Sequence, residues 1–345
     1  MPNALSSPQH PFPRGWFQIG RSHELLAGDV RAVKYFGKDL VLFRNESGEV
    51  GLLDAHCQHL GAHLGVGGKV NGDSVQCPWH GWCWDTKGRN TAIPYSVEDC
   101  KPNVRVGDWH VREWYGNIVA WNDWEPGGEP YWEPPKIPEL EGDDFYSLHN
   151  EYSDHLWKVK CHPQMPLENA VDFAHIEYVH GHTDPPELVE VRSKDHWIRF
   201  DVAVEYGRGK KSTWLTPGGP VESMMEIEGF GIGFGTVRFP GIWPTVMVTS
   251  ITPIDENYSA YYFQQASKRG EGETGDLPEG MAKAMIDLQV GVIPQDFPIW
   301  ENMEYLENPN PAREEGKDLL QLRSWCAQFY PPSVGDVPPV NASRA

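Results

Sequence analysis

Two short stretches of this sequence each set one thiolate beside one imidazole. Cys57-Gln58-His59 is followed, after 17 intervening residues, by Cys77-Pro78-Trp79-His80. A Rieske [2Fe–2S] cluster needs that stoichiometry, with two cysteines on one iron and two histidines on the other. Gly61 and Gly81, just beyond each half, let backbone amides approach the sulfides, and Pro78 stiffens its loop. Neutral imidazole ligands would place the potential within a broad ~−150 to +300 mV. Structural zinc is the competing reading. Zinc modules usually pair Cys with Cys and His with His, whereas each half here is mixed. Cys83, His56 and His63 lie close by but outside this spacing. Cys83 is expected to be a buried thiol, and the two histidines structural or surface groups.

A second constellation lies in the later half of the chain. Asp172 and His175 are three residues apart and share a helix face, and His180 follows five residues after His175. On a regular helix the two histidines would point about 140° apart. For both to reach one metal the helix must loosen before His180, and Gly181 permits this. Two histidines and one carboxylate on one side of Fe(II) form a facial triad with positions left open for O₂ or substrate. Helix histidines acting as caps or surface groups are the plain alternative. A one-electron relay in the same chain favours the metal.

The elements that must hold these groups divide at a Pro- and acid-rich stretch. From Phe12 to about Trp124 the chain is turn-rich, with short strands expected at 40–45, 49–55, 74–79, 110–116 and 117–123, which makes a small all-β domain. Residues 125–147 read as a linker or crossing arm that cannot be a helix or a central strand. The part 148–330 opens with a strand-like stretch at 149–160 and an expected helix near 167–179. Strands are expected at 195–206 and 221–239, then a hairpin of 245–253 with 257–267. Residues 278–292 have a helical apolar face, continuing past Pro294, and a further amphipathic helix is expected at 315–329. Val246, Val248, Tyr261 and Phe263 could line an apolar cavity or simply fill a core. The run Gly231-Ile232-Gly233-Phe234-Gly235 reads as a Gly-rich strand edge rather than a dinucleotide loop. The tail 331–345 reads as disordered.

Composition narrows the function classes. The 345 residues carry 49 acidic and 29 basic side chains, a net charge of −20, which argues against a nucleic-acid partner. Mean hydropathy is −0.52 and no apolar run approaches the ~20 residues of a membrane span. No export signal is apparent, so a cytoplasmic location with the six cysteines reduced or metal-bound is expected. Residues 57–112 hold six Lys or Arg against five Asp or Glu, a local balance of +1 on an acidic protein. Such a surface would suit docking of an acidic ferredoxin-type domain.

Taken together, Cys57–His59 and Cys77–Trp82 in front and Asn169–His180 behind resemble the α subunits of Rieske non-haem iron oxygenases. Respiratory Rieske proteins carry an extra, disulfide-forming cysteine in each ligand loop. Ala62 and Trp79 stand near those places here, which points to the lower-potential group. The resemblance implies an α+β architecture. An N-terminal all-β Rieske domain precedes a catalytic domain with a large curved antiparallel sheet covered by helices, of helix-grip, START-like form. It implies Cys57, His59, Cys77 and His80 as cluster ligands and His175 and His180 on a mononuclear Fe(II). It also implies a third ligand on a late helix, for which Asp296 is the choice and Asp287 the runner-up. Asp172 would bridge His80 of one subunit to His175 of the next in a ring-shaped homotrimer, with Asn169 supporting the site. Residues 297–302 and 320–330, with Phe12–Trp16, are similar to steroid-processing members, the 3-ketosteroid 9α-hydroxylase oxygenases and cholesterol 7-desaturases. Residues 181–245 do not match that group's substrate-lining stretch.

The resemblance therefore implies a terminal oxygenase that uses O₂ to hydroxylate or desaturate an apolar compound, a steroid being the candidate that the similar members suggest. Electrons from NAD(P)H would arrive through a separate ferredoxin or flavin reductase, because this chain has no flavin or nicotinamide motif. An aromatic-ring dioxygenase or oxidative demethylase is the alternative within the class, and a non-enzymatic electron carrier the alternative outside it.

Overall fold

The computed structural model describes residues 11–125, 127–181 and 185–331. In the front part the strands are β1 (Gly15–Arg21), β2 (Val30–Tyr35), β3 (Lys38–Arg44), β4 (Val50–Asp54) and β5 (Lys69–Asn71). They continue with β6 (Ser74–Gln76), β7 (Cys83–Asp85), β8 (Asn90–Ala92), β9 (Val111–Trp114) and β10 (Asn117–Asn122). They form three small antiparallel sheets, ordered β1-β10-β9, β2-β3-β4 and β5-β6-β7-β8. The strands are short because turns interrupt them every few residues. Five elements expected from alternation are present; β1, β2, β5, β7 and β8 carry too little alternation to announce themselves.

The later part is built on one seven-stranded antiparallel sheet. Its strands are β11 (Asp154–Val159), β12 (Glu187–Lys194), β13 (Trp197–Tyr206), β14 (Val221–Phe230), β15 (Phe234–Phe239), β16 (Thr245–Pro253) and β17 (Ser259–Ser267). They are ordered β11-β17-β16-β15-β14-β13-β12. The helices are α1 (Gln164–Glu168), α2 (His175–Tyr178), α3 (Gly280–Val292), α4 (Phe297–Trp300) and α5 (Arg313–Cys326). The fold is α+β, as expected. The single strand expected over 221–239 is instead two strands, because Gly231, at φ 71°, turns the chain between β14 and β15.

The helix expected over 167–179 is also broken. From Pro166 to Asp172 the backbone bonds run three residues back (Asn169 to Pro166, Ala170 to Leu167, Val171 to Glu168), giving tight 3₁₀-like winding between α1 and α2. Asn169 and Asp172 fall in this stretch, and such short polar side chains compete with regular helix hydrogen bonding.

The proline-rich segment is a strap held against both halves. Trp132 stacks flat on His196 (ring centroids 4.7 Å apart, planes 3° apart), and its carbonyl accepts the Trp16 indole N–H at 2.7 Å. Its Ile137 and Tyr146 are buried. The two halves are joined directly as well. In β1, the Gln18 N–H donates to Ser250 Oγ at 2.9 Å, and Thr252 Oγ1 donates to the Gln18 carbonyl at 2.6 Å. Gly233 is required there, since a Cβ would come within 2.3 Å of the Phe17 ring. The Gly-rich run is thus a site of close strand approach. Of the tail expected to be disordered, all but Pro331 lies outside the described residues.

Candidate metal centres and substrate cavity

The two cysteine–histidine loops are near copies of each other. In the first, the Cys57 N–H donates to the Ala62 carbonyl (2.9 Å) and the Gly61 N–H to the Cys57 carbonyl (2.8 Å). In the second, Cys77 donates to Trp82 (2.8 Å) and Gly81 to Cys77 (3.1 Å). Gly61 and Gly81 sit at φ 79° and 74°, the left-handed conformation that lets each loop turn back over its cysteine. Cys57 and Cys77 are buried. The His59 and His80 rings lie 4.7 Å apart, and His59 stacks on Trp82 at 4.7 Å.

The Nδ1 atoms of His59 and His80 are both buried and have no hydrogen-bond partner among the described residues. Two orphaned ring nitrogens beside two buried thiols are what a cluster with two imidazole ligands requires, so these residues fit the group. Burial, followed by the nearby Cys77, pushes the Cys57 thiol up to about 11, against the hydrogen bond it receives from the His59 backbone. A metal must therefore displace a firmly held proton there. Cys83 is a buried thiol whose Sγ donates to the Gly81 carbonyl, and His56 and His63 pair edge to face beside the first loop. Cys83 is thus the buried thiol expected, and none of the three contributes to the His59–His80 pair.

The second group assembles from two distant parts of the chain, the winding stretch around α2 and the turn before α4. One donor atom each from His175, His180 and Asp296 lies within 4.8 Å of the others. His175 opens α2. The Val179 N–H closes a normal turn onto His175, and Gly181, at φ 69°, ends the winding and turns His180 back. Asp296 sits where the 3₁₀ turn Ile293–Gln295 meets α4, just after Pro294. The rings of His175 and His180 stand 5.3 Å apart.

Each histidine is oriented through its Nδ1. That of His175 donates to the backbone carbonyl of Asp172, and that of His180 to Gln295 Oε1 at 3.0 Å. Both Nε2 atoms are thereby left as acceptors, and that of His180 lies 3.4 Å from Asp296 Oδ1. Asn169 Nδ2 reaches Asp296 Oδ2 at 3.5 Å. Asp296 is 5% exposed. Burial pushes its carboxyl above the usual range, while His180 and His175 pull it down. A buried carboxylate faced by two acceptor nitrogens is a donor set that fits a divalent metal.

Asp172 is half-exposed, with its Oδ2 3.8 Å from the His175 Nδ1. Its carbonyl, rather than its carboxylate, takes the ring hydrogen bond. Asp287, the runner-up ligand, pairs with Lys283 on the exposed side of α3, its Oδ2 2.6 Å from Nζ. Gln295 was not singled out by the sequence, since only the folded geometry brings it to His180.

A cavity of about 230 Å³ opens from the metal group. Leu167, Ile227, Met247, Ile251, Tyr261 and Val292 give it apolar walls. Of the four hairpin residues offered as cavity lining or core, only Tyr261 lines it. Val246 and Val248 point from the opposite face of β16 into the core shared with Trp16 and Trp121, and Phe263 is buried beside His155 and Trp157. The cavity takes Met247, Thr249 and Ile251, the other parity of the same strand.

Comparison with known proteins agrees with both halves. Residues 15–110 match the Rieske [2Fe-2S] domain, and residues 120–330 match the 3-ketosteroid 9α-hydroxylase C-terminal domain. A 3-ketosteroid-9-alpha-monooxygenase oxygenase component from Rhodococcus rhodochrous is 31% identical over 329 residues, covering 92% of this chain and 84% of that protein. A cholesterol 7-desaturase from Bombyx mori is 29% identical over 343 residues, covering 93% and 70%. Among solved structures, apo dicamba monooxygenase superposes with a TM-score of 0.69 at 17% identity, over 92% of this chain and 97% of that one. Pseudomonas putida CBB5 NdmA gives 0.68 at 19%, over 90% and 88%.

Proposed function

The chain belongs to the Rieske oxygenases whose catalytic half is of the 3-ketosteroid 9α-hydroxylase type, and on that premise we propose that it hydroxylates or desaturates a steroid-like polycycle in that cavity. It is an oxidoreductase, a terminal oxygenase with a Rieske cluster and a mononuclear iron. We assign the cluster to Cys57, His59, Cys77 and His80, and the iron to His175, His180 and Asp296. When bound, the cluster supplies single electrons and the iron supplies O₂ activation.

The chain's own residues do the rest. The Asp172 carbonyl and Gln295 hold the two imidazoles with Nε2 turned to the metal position. The apolar walls exclude water and hold a ring system largely by shape, with Thr236 and Thr249 among the few polar groups that line the cavity. Asp172, exposed enough to meet another subunit, carries the link to His80 of a neighbouring copy in a head-to-tail trimer. The membership of the family carries a reductase partner with it, and the locally balanced charge of 57–112 suits an acidic one. Among the described residues no helix is long and apolar enough to cross a membrane.

The observation that carries this reading is that the two-imidazole, one-carboxylate group forms one end of an apolar cavity. The test is substrate-dependent O₂ uptake with a competent reductase, across a panel of steroids and simple aromatic acids. Product formed from steroids supports the assignment. Turnover of the aromatic acids alone would move the chain to the ring-dioxygenase or demethylase alternative. Electron delivery insensitive to ionic strength would remove the docking proposal.

A further inference from the structure

Gln265, on β17, is fully buried, and neither its amide nitrogen nor its amide oxygen has a hydrogen-bond partner among the described residues. A buried side chain with both polar ends unmet needs an explanation, because its lost hydration is not replaced. Its neighbours are supplied. Gln264, on the other face, exchanges two hydrogen bonds with Asn117, at 2.8 and 3.1 Å. The hydroxyls of Thr245 and Ser267 pair at 3.1 Å.

Register gives the amide its place. Gln265 is directly opposite Met247 across the β16–β17 ladder, so the two side chains share a face. At Met247, Thr249 and Ile251 that face is the cavity wall. Helix α3 packs over β17 with Ala282, Met285 and Ile286 buried, and closes the far side. The Met247 side chain therefore stands beside the amide at the end of the open cavity, and an unbranched thioether readily changes rotamer. Tyr261, which lines the cavity with Asp296, is four residues from Gln265 along β17, about 13 Å of strand. Buried Phe263 fills the same face between them, so a fused ring system of that length would run along the neighbouring strand, past Ile251, Thr249 and Met247 of β16.

We propose that Gln265 is a specificity-determining residue: with Met247 turned aside, its amide pairs with a carbonyl or hydroxyl oxygen at one end of an otherwise apolar substrate. This rests on the reading of the cavity as a steroid site and adds that one terminal oxygen function is recognised through Gln265. A carbonyl would accept from Nε2 and a hydroxyl would donate to Oε1, so either oxygen type can satisfy the amide.

The experiment is equilibrium binding to the anaerobic holoenzyme, with 5α-androstan-3-one and 5α-androstane as probes. The wild type is expected to bind the ketone at least tenfold more tightly than the hydrocarbon. Gln265→Met, close in shape but apolar, should bring that ratio within twofold, and Met247→Phe should do the same by sealing the passage while leaving the amide in place. Melting temperature and the visible spectrum of the cluster report folding. If Gln265→Met does not fold, Met247→Phe decides. A ketone preference that survives in a folded variant overturns the subsite, as does an equal loss for both probes or a wild type with no preference. A wild type that binds neither probe overturns the steroid reading itself, and this subsite with it.

Discussion

Nε2 of His180 lies 3.4 Å from Oδ1 of Asp296, while its Nδ1 donates to Gln295, the residue immediately before that aspartate. One short segment thus supplies both a candidate ligand and the group that aims another. Gln295 is in turn anchored, its Nε2 donating to the Gly291 carbonyl at 3.0 Å at the end of α3. The imidazole is fixed in the tautomer that exposes Nε2 to a metal.

Replacing Gln295 by leucine removes that hydrogen bond and leaves the three candidate ligands in place. Iron affinity at the mononuclear site should fall about 10- to 100-fold. Titration of apo-protein with Fe(II) measures this, and an unchanged affinity would show that Gln295 does not orient His180.

Asp172→Asn should keep both metals and lose most turnover, because the carboxylate is assigned to the link between subunits. Rapid mixing of the reduced variant with O₂ and substrate would show the cluster reoxidising far more slowly than in the wild type. Wild-type rates would reject the bridge.

A third expectation concerns acid. Asp154 receives Arg21 Nη2 at 2.7 Å and faces the His149 Nδ1 at 2.9 Å, tying β1 to the start of β11. Burial alone would raise its carboxyl, but the hydrogen bonds from His149 and Arg21 outweigh burial and hold it below the usual value. A depressed carboxylate stabilises the fold above its unfolded pKa, ~3.9, and that stabilisation is lost as pH falls through the lower folded value. Asp154→Asn should therefore lower the melting temperature at pH 7, with the gap to wild type narrowing below about pH 4. A gap constant with pH would mean the charge is not what matters.

The parts of this site that were legible in the sequence are those encoded locally. Cys57, His59, Cys77 and His80 stand on two short turns marked by their glycines and spacing, and His175 and His180 lie on one winding stretch. Asp296 came from the family resemblance, with Pro294 just before it as the only local sign, a helix bent at the metal. The sequence left Val246 and Val248 open between cavity wall and core, because β16 is covered on both faces, and a strand buried on both faces loses the alternation that reveals which side is which. Strand β12 was missed for the opposite reason: its glutamates, lysine and arginine leave only a half-buried pattern at the sheet edge. Gln295 and Gln265 are ordinary polar residues until the fold brings one to His180 and seals the other behind Met247.

The most direct test of the two-centre account is iron and acid-labile sulfide counted per chain in the wild type and in Asp296→Ala, with the cluster's electron paramagnetic resonance recorded for both. The account predicts about three iron atoms and two sulfides in the wild type, and about two irons with the same sulfide and an unaltered cluster signal in the variant. Two irons in the wild type, or a variant that keeps the third, would contradict it.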